Sequence, residues 1–329
     1  MSTPRLSSLL LKRPWRAVTL CALSVTLWHT APVSAEPRTR VNLNGKDYPV
    51  FFNDGDSFRV LGGDLKGNKA RLGGFNTLES YGPVHSWGGW TTKELYVVAK
   101  MGTYNARKGT WDCTSDMKKD TYGRTLWRCE TLSNDQVRKG LAHAMSVNKD
   151  PAAESDVKAQ REAVKAKRGM WAHGVPEYVL TSLHSVSEGG GRDGKTYNRL
   201  VSVVDGHSMK WEHSDTYEEC QNVCWQPTEE ERLSRFTARL AERTQVKAWM
   251  SELSEEDQRA VAGAYLKGGA SLEGLSVELS EDRKAQALSA LSEMAEEGWV
   301  EAAKSDVKTC MIYVDFRRRF GAARAVCLK

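Results

Sequence analysis

The chain has 329 residues, 40% of them hydrophobic and 27% charged, with a formal net charge of +5. After residue 35 no stretch is apolar for the roughly 20 residues a spanning helix needs, which excludes a multi-span membrane protein. The charge is unevenly divided: residues 36–175 hold 23 Lys and Arg against 16 Asp and Glu, a balance of +7, whereas 176–329 hold 20 against 26, a balance of −6. The first part is the one expected to meet a polyanion.

The first 35 residues have the layout of a cleaved secretory signal peptide. Arg5, Lys12, Arg13 and Arg16 form a positive n-region, residues 17–28 an apolar run, and Val33-Ser34-Ala35 a small-residue cleavage site. The run is short for a membrane anchor, and Leu20 before Cys21 is too large for lipoprotein processing. The mature chain is therefore expected outside the cytoplasm, secreted or periplasmic, with a net charge of +1 and without stable membrane insertion. Six cysteines remain: Cys113, Cys129, Cys220, Cys224, Cys310 and Cys327. An even number in an exported chain predicts three disulfides. Cys220 and Cys224 alone resemble half a zinc site, but no second pair completes it.

In chain order, VNLNG, YPVFF, SFRVL and KARL over residues 41–72 read as strands separated by Gly, Asn and Asp turns. RLGGFNTLES (71–80) then runs from strand into loop. A helix is expected over 91–106, with Leu95, Val98 and Met101 at apolar spacing. TWDC and TLWRC read as two strands of one hairpin joined by SDMKKDTYGR, which favours a Cys113–Cys129 bond. A short helix over 134–142 capped by Asn134 and a longer one over 154–171, with Val157, Val164 and Trp171 on one face, complete a compact α+β part (36–175).

The second part, 176–329, is expected to be a disulfide-bonded accessory domain of mixed α/β character. Its β-rich pieces are 176–226 and 308–329. YVLTSLHSV, YNRLVSVV and HSMKWEH read as strands, TYEECQNVCW places Cys220 and Cys224 on one helical face, and TCMIYVDF is a final strand. A helical insertion over 227–305 separates them. Its helices start at the capping box Thr228/Glu231, at Ser254, and at Ser280, the last reaching residue 303. Leu233, Phe236, Leu240 and Val246 fall at helical spacing. Cys310 and Cys327 are expected to bond Cys220 and Cys224, in either pairing. His207 and His213 share a face of HSMKWEH, but no third ligand accompanies them. No other histidine spacing suggests a metal or a catalytic triad.

Three short pieces then matter together: NDGDSF (53–58), ARLGGFNTLE (70–79) and DTYGRTL (120–126). Each alone is bland, since DGD is common in tight turns and an arginine after a strand is usually a surface charge. Their order and spacing, followed by QVRKGLA and an Ala/Lys helix ending in MW, resemble the staphylococcal-type thermonuclease family over about residues 41–173. The resemblance implies an OB-like five-stranded β-barrel with helices and a calcium-dependent nuclease. Position by position it implies that Asp56 is a direct calcium ligand with Asp54 in the outer shell. Asn76 stands where the family usually has a second aspartate ligand, and Thr77 offers its backbone carbonyl. Glu79 would orient or deprotonate the attacking water, Arg71 and Arg124 would clamp the scissile phosphate, and Tyr122 would contact a substrate phosphate.

The chemistry agrees with that division of labour. A phosphodiester repels an anionic nucleophile until its charge is neutralised, arginine forks suit phosphate, and a nearby carboxylate can take a proton from water. The departures are Asn76, which brings an oxygen without a charge, so that another divalent cation can replace calcium; Leu78 in place of a proline; Thr121 in place of a lysine; and HAMSVN without the usual base-stacking tyrosines. Trp87, Trp90 and Trp111 are alternative stacking surfaces, with a core role as the plainer expectation, and His85 is a lone loop histidine. The expectation is a monomeric, secreted hydrolase of DNA and RNA with little sequence specificity. The alternatives are a non-cutting nucleic-acid-binding barrel, or an interaction protein whose partner, another protein or a cell surface, meets the accessory domain.

Overall fold

A computed structural model of the chain describes residues 39–189, 193–269, 271–319 and 321–328; the signal peptide expected over residues 1–35 lies outside the described residues. Pro37–Lys329 forms one compact unit of mixed α+β structure, with eight α-helices among the described residues. None of the described helices is long and apolar enough to cross a membrane.

The chain opens with a meander of β1 (Arg40–Leu43), β2 (Lys46–Phe52), β3 (Ser57–Val60) and β4 (Lys69–Leu72). Asn44 and Gly45 both take positive φ between β1 and β2, the two-residue turn whose twist suits a hairpin. Alternation does the rest. Val41, Leu43, Val50, Phe52, Phe58, Val60, Ala70 and Leu72 point inward, whereas Phe51 is exposed. After β5 (Gly74–Thr77) and β6 (His85–Trp87) comes helix α1 (Thr92–Ala106), started by a Thr91/Glu94 capping box. Leu95 and Val98 of α1 are buried as expected, but Met101 is about half exposed.

β7 (Thr110–Cys113) and β8 (Thr125–Trp127) add to opposite ends of the meander, each parallel to its neighbour, in the order β7-β1-β2-β3-β4-β8. The sheet curls until these two edges meet. Thr114 and Arg128 exchange backbone hydrogen bonds of 2.8 Å, and the predicted Cys113–Cys129 disulfide lies beside them. Phe58 packs edge-on against Trp127 inside the curl.

Several elements differ from the sequence expectation. The helix expected over 134–142 is α2 (Glu130–Arg138), with Asn134 inside it; residues 142–145 instead form strand β9 (Ala142–Met145), antiparallel to β5. Helix α3 (Glu154–Lys165) stops short of Trp171, because Lys167 and Gly169 take positive φ and start a separate turn, Gly169–Trp171. Lys167 and Gly169 lead into close backbone contact with Gly140, where neither glycine has space for a Cβ.

The second half begins with the sheet β10 (Tyr178–Ser182), β11 (Thr196–Ser202) and β12 (Ser208–His213). β13 (Asn222–Trp225) follows, so Cys220 and Cys224 are not on a helix: Cys220 sits in a turn at φ 68° and Cys224 on a strand. The helical segment comprises α4 (Glu229–Ala241), α5 (Lys247–Met250), α6 (Glu255–Gly268), α7 (Glu281–Glu297) and α8 (Trp299–Lys304). Thr228, Ser254 and Ser280 cap as predicted, while Gly298 at φ 95° breaks the last expected helix in two. Phe236, Leu240, Trp249, Val261, Leu291 and Met294 give this segment a core of its own.

Strand β14 (Thr309–Ile312) returns to pair with β13 on one side and with β6, from the first half, on the other. The pairings left open resolve to Cys220–Cys327 and Cys224–Cys310, the latter directly across the β13–β14 ladder. Residues of the C-terminal part are thus held beside the loop that follows β5.

Candidate functional site

The sequence places two carboxylates in the turn after β2, and local chemistry fixes them there. Asp54 Oδ1 accepts from the Asp56 amide (3.2 Å) and from Ser57 Oγ (2.7 Å), closing the turn on itself. Gly55 lets that turn lie flat against the next layer. A Cβ there would stand 2.4 Å from the Thr77 methyl carbon and 3.2 Å from the backbone of Gly102 in α1. Asp56 is therefore pressed onto β5, and only 3% of it is exposed.

Asp56 is the hub. Its Oδ2 accepts from the Thr77 amide (2.8 Å) and from Thr77 Oγ1 (3.0 Å), and its Oδ1 is ion-paired with Arg71 Nη1. The second Arg71 nitrogen, Nη2, donates to Asn76 Oδ1 (2.6 Å). Arg71 is brought opposite Ser57 by the β3–β4 register, and Asn76 and Thr77 arrive on β5. Burial alone would weaken the Arg71 cation, but the surrounding charges of Asp56, Asp54 and Glu79 outweigh it and hold the proton more firmly.

RLGGFNTLES is therefore not a strand running into a loop: residues 74–77 are a short strand buried between β9 and the body. Register pairs Asn76 with His143, whose Nε2 lies 3.4 Å from Asn76 Nδ2; the same Nδ2 donates to the Thr77 carbonyl (2.9 Å). The Glu79 amide in turn points at His85 Nε2 (3.4 Å). Burial drives both histidines down, His143 to about 4 and His85 to about 3, so both are neutral at physiological pH. His143 was missed because nothing in HAMSVN marks it, and the β5–β9 register supplies the signal; His85, read as a lone loop histidine, lies instead on β6 with its ring against the Glu79 amide. Leu78, which stands in place of the family's proline, is buried beside Leu95, Val98 and Trp87 and anchors the segment by packing.

Glu79 follows as a half-buried carboxylate. Withdrawal from water, then the Asp56 charge, push it up to about 7, opposed by Arg319, Arg71 and Arg124. Asp54 is pushed up to about 8, again chiefly by burial and then by Asp56 and Glu79. The charge of Asp56 thus adds to burial at both Asp54 and Glu79, and the two raised carboxyls are the ones that hold a proton here. The consequence for stability has a defined sign. A raised folded-state pKa stabilises the protonated form, so its contribution is full below the ordinary value of 4.5 and is lost as pH rises through about 7. Without metal, Glu79→Gln should gain stability over the parent between about pH 5 and pH 8. Chemical denaturation at the two pH values checks this, and an equal offset at both would contradict it.

Arg124 approaches from the β7–β8 loop. Its Nε donates to Asp120 Oδ2 (2.7 Å), and Asp120 Oδ1 accepts from the amides of Tyr122 and Arg124 (2.9 Å each), so one aspartate builds the turn and aims the arginine. Tyr122 is 77% exposed at the tip, its ring centroid 5.5 Å from the Arg124 guanidinium carbon. Asp54, Asp56, Arg71, Asn76, Thr77 and Glu79 are thus brought together, Arg124 stands within electrostatic reach, and Tyr122 remains at the rim. Trp87 is buried, and Trp90 and Trp111 spend their indole N–H groups on the carbonyls of Met170 and Ala106 (2.8 Å each), which leaves them in body-packing roles. In the other half His207 pairs with Asp205 (2.6 Å) and His213 contacts Tyr217, so the two do not form a common site.

Among the described residues, no three His, Cys, Asp or Glu side chains converge so as to hold a metal by themselves. The oxygens of Asp56, the Asn76 amide and the Thr77 carbonyl are of the kind that suits a hard cation, and each already accepts a hydrogen bond: Asp56 from Arg71 and Thr77, Asn76 from Arg71, and Thr77 from Asn76. Compared with known proteins, the chain matches no family model, and a search of curated proteins gives no match.

Proposed function

We propose that the protein is an exported metal-dependent nuclease, hydrolysing phosphodiester bonds of DNA and RNA with little sequence specificity. The observation that carries it is the convergence of Asp56, Arg71, Asn76, Thr77 and Glu79 at one end of a curled sheet, with Arg124 aimed in from a separate loop. The curled sheet and its order of motifs support an OB-like, thermonuclease-like assignment for residues 41–173. Three disulfides support an exported chain.

Asp56, Asn76 and the Thr77 carbonyl would hold the cation, calcium by their chemistry, with Asp54 bracing Asp56 from its turn. The cation, when bound, supplies positive charge beside the phosphate and favours deprotonation of water. Arg71 and Arg124 neutralise the phosphate and the additional charge of the five-coordinate transition state. Glu79, poised near 7, accepts the proton of the attacking water. Specificity is low because these groups address phosphate rather than base edges.

One observation favours a second reading, a binding module that does not cut. Both oxygens of Asp56 are already engaged by Arg71 and Thr77, and its neighbour at 76 is neutral. The two readings divide on Asn76→Asp. If the site holds calcium, this variant adds a ligand charge and binds calcium about tenfold or more tightly, by calorimetry or by the rise in Tm. A chain and a variant that both ignore calcium and the other divalent cations, while still binding DNA, leave only the binding module.

A further inference from the structure

We propose that Arg319, in the C-terminal segment, is a third substrate arm of this site, gripping a backbone phosphate next to the one held by Arg71 and Arg124. The inference rests on the nucleic-acid reading above and adds to it a residue from the far end of the chain.

Placement comes first. Gly82 lies three residues beyond Glu79, and a Cβ on it would stand 3.1 Å from Arg319 Cδ, so the arginine stem lies across this loop. The two segments are stitched together next door. The Ile312 amide donates to the Val84 carbonyl (3.0 Å), β14 pairs with β6, and Val84, Val314, Ala325 and Leu328 form a small apolar cluster. The charge of Arg319 is felt at Glu79 alongside those of Arg71 and Arg124.

Commitment of the guanidinium forks separates Arg319 from its neighbours. Arg71, Arg124 and Arg318 each have a carboxylate partner: Arg71 pairs with Asp56, Arg124 donates Nε to Asp120, and Arg318 reaches both oxygens of Glu219 (2.6 and 2.9 Å). Arg319 donates Nε to the Val314 carbonyl (3.1 Å), and among the described residues no carboxylate lies within salt-bridge distance of it. It is partly exposed. The guanidinium is aimed by that backbone bond and lies over the Phe316 ring (5.6 Å to the centroid), and a planar fork held in this way suits a phosphate oxygen. Its segment is fixed rather than trailing: the Cys220–Cys327 disulfide, the Arg318–Glu219 pair and the Ala325 amide on the Arg318 carbonyl (2.9 Å) hold it.

The test is the dissociation constant of a labelled single-stranded DNA oligomer over about 50 to 200 mM salt. The oxidised full chain is used, with Glu79→Gln to prevent cutting, and compared with the same chain carrying Arg319→Gln or Arg319→Lys. Loss of one phosphate contact should weaken binding about tenfold for Arg319→Gln and flatten the slope of log K against log salt by about 0.7, with Arg319→Lys restoring most of both. Weakened binding with an unchanged slope would mark a structural role and overturn the proposal, as would unchanged binding. A parent that binds no DNA at all overturns the nucleic-acid reading together with this inference, whereas a parent that binds and ignores Arg319→Gln overturns this inference alone.

Discussion

Replacing Glu79 with glutamine should lower kcat for phosphodiester cleavage by about a thousandfold while KM changes little. The substitution keeps the size of the side chain and leaves the backbone amide on His85, and it removes the carboxylate that takes the proton of water in the proposed mechanism. The expected loss lies in turnover because a neutral amide still tolerates bound substrate; removing a negative charge beside a polyanion should if anything tighten binding. Single-turnover kinetics on a short duplex separates the two. Cleavage by Glu79→Gln within tenfold of the parent would remove Glu79 from the chemistry.

The second large effect belongs to Arg71. Arg71→Ala should cost about 3–5 kcal/mol of folding stability, because it leaves the carboxylate of Asp56 buried without its charge partner. It should also remove about a thousandfold of turnover, since the same fork faces the phosphate in the proposed mechanism. Adding Asp56→Asn to Arg71→Ala should recover most of the stability and none of the activity, because the uncompensated charge is gone and the site is not restored. Denaturant melts of the two single variants and the double variant measure this. Additive losses would show that Asp56 and Arg71 do not act as a pair.

How much of this was legible from the sequence depends on how local each signal is. The strands of 41–72 declare themselves by alternation, as Val50 and Phe52 point in while Phe51 points out, and the caps at Thr228, Ser254 and Ser280 are written within four residues. β5 and β9 were not legible as strands. Three of the four residues of GFNT and all four of AHAM are buried, so neither has a polar face to alternate with; Ala142 fell at the end of the expected helix and 143–145 in no element. The helix expected around Cys220 and Cys224 failed for a related reason, since spacing of four also fits a turn followed by a strand. Asp56, Arg71, Asn76 and Thr77 could be grouped from two short motifs, and the structure brings them into contact. His143 and Arg319 could not, because their places depend on a strand register and on a contact across more than two hundred residues.

The most direct measurement is incubation of a supercoiled plasmid and of a single-stranded RNA with the oxidised mature protein, with calcium and with a chelator. A metal-dependent nuclease of low specificity cuts both substrates with calcium and neither with the chelator. Both substrates left intact with calcium, by a protein that still binds DNA, would contradict it.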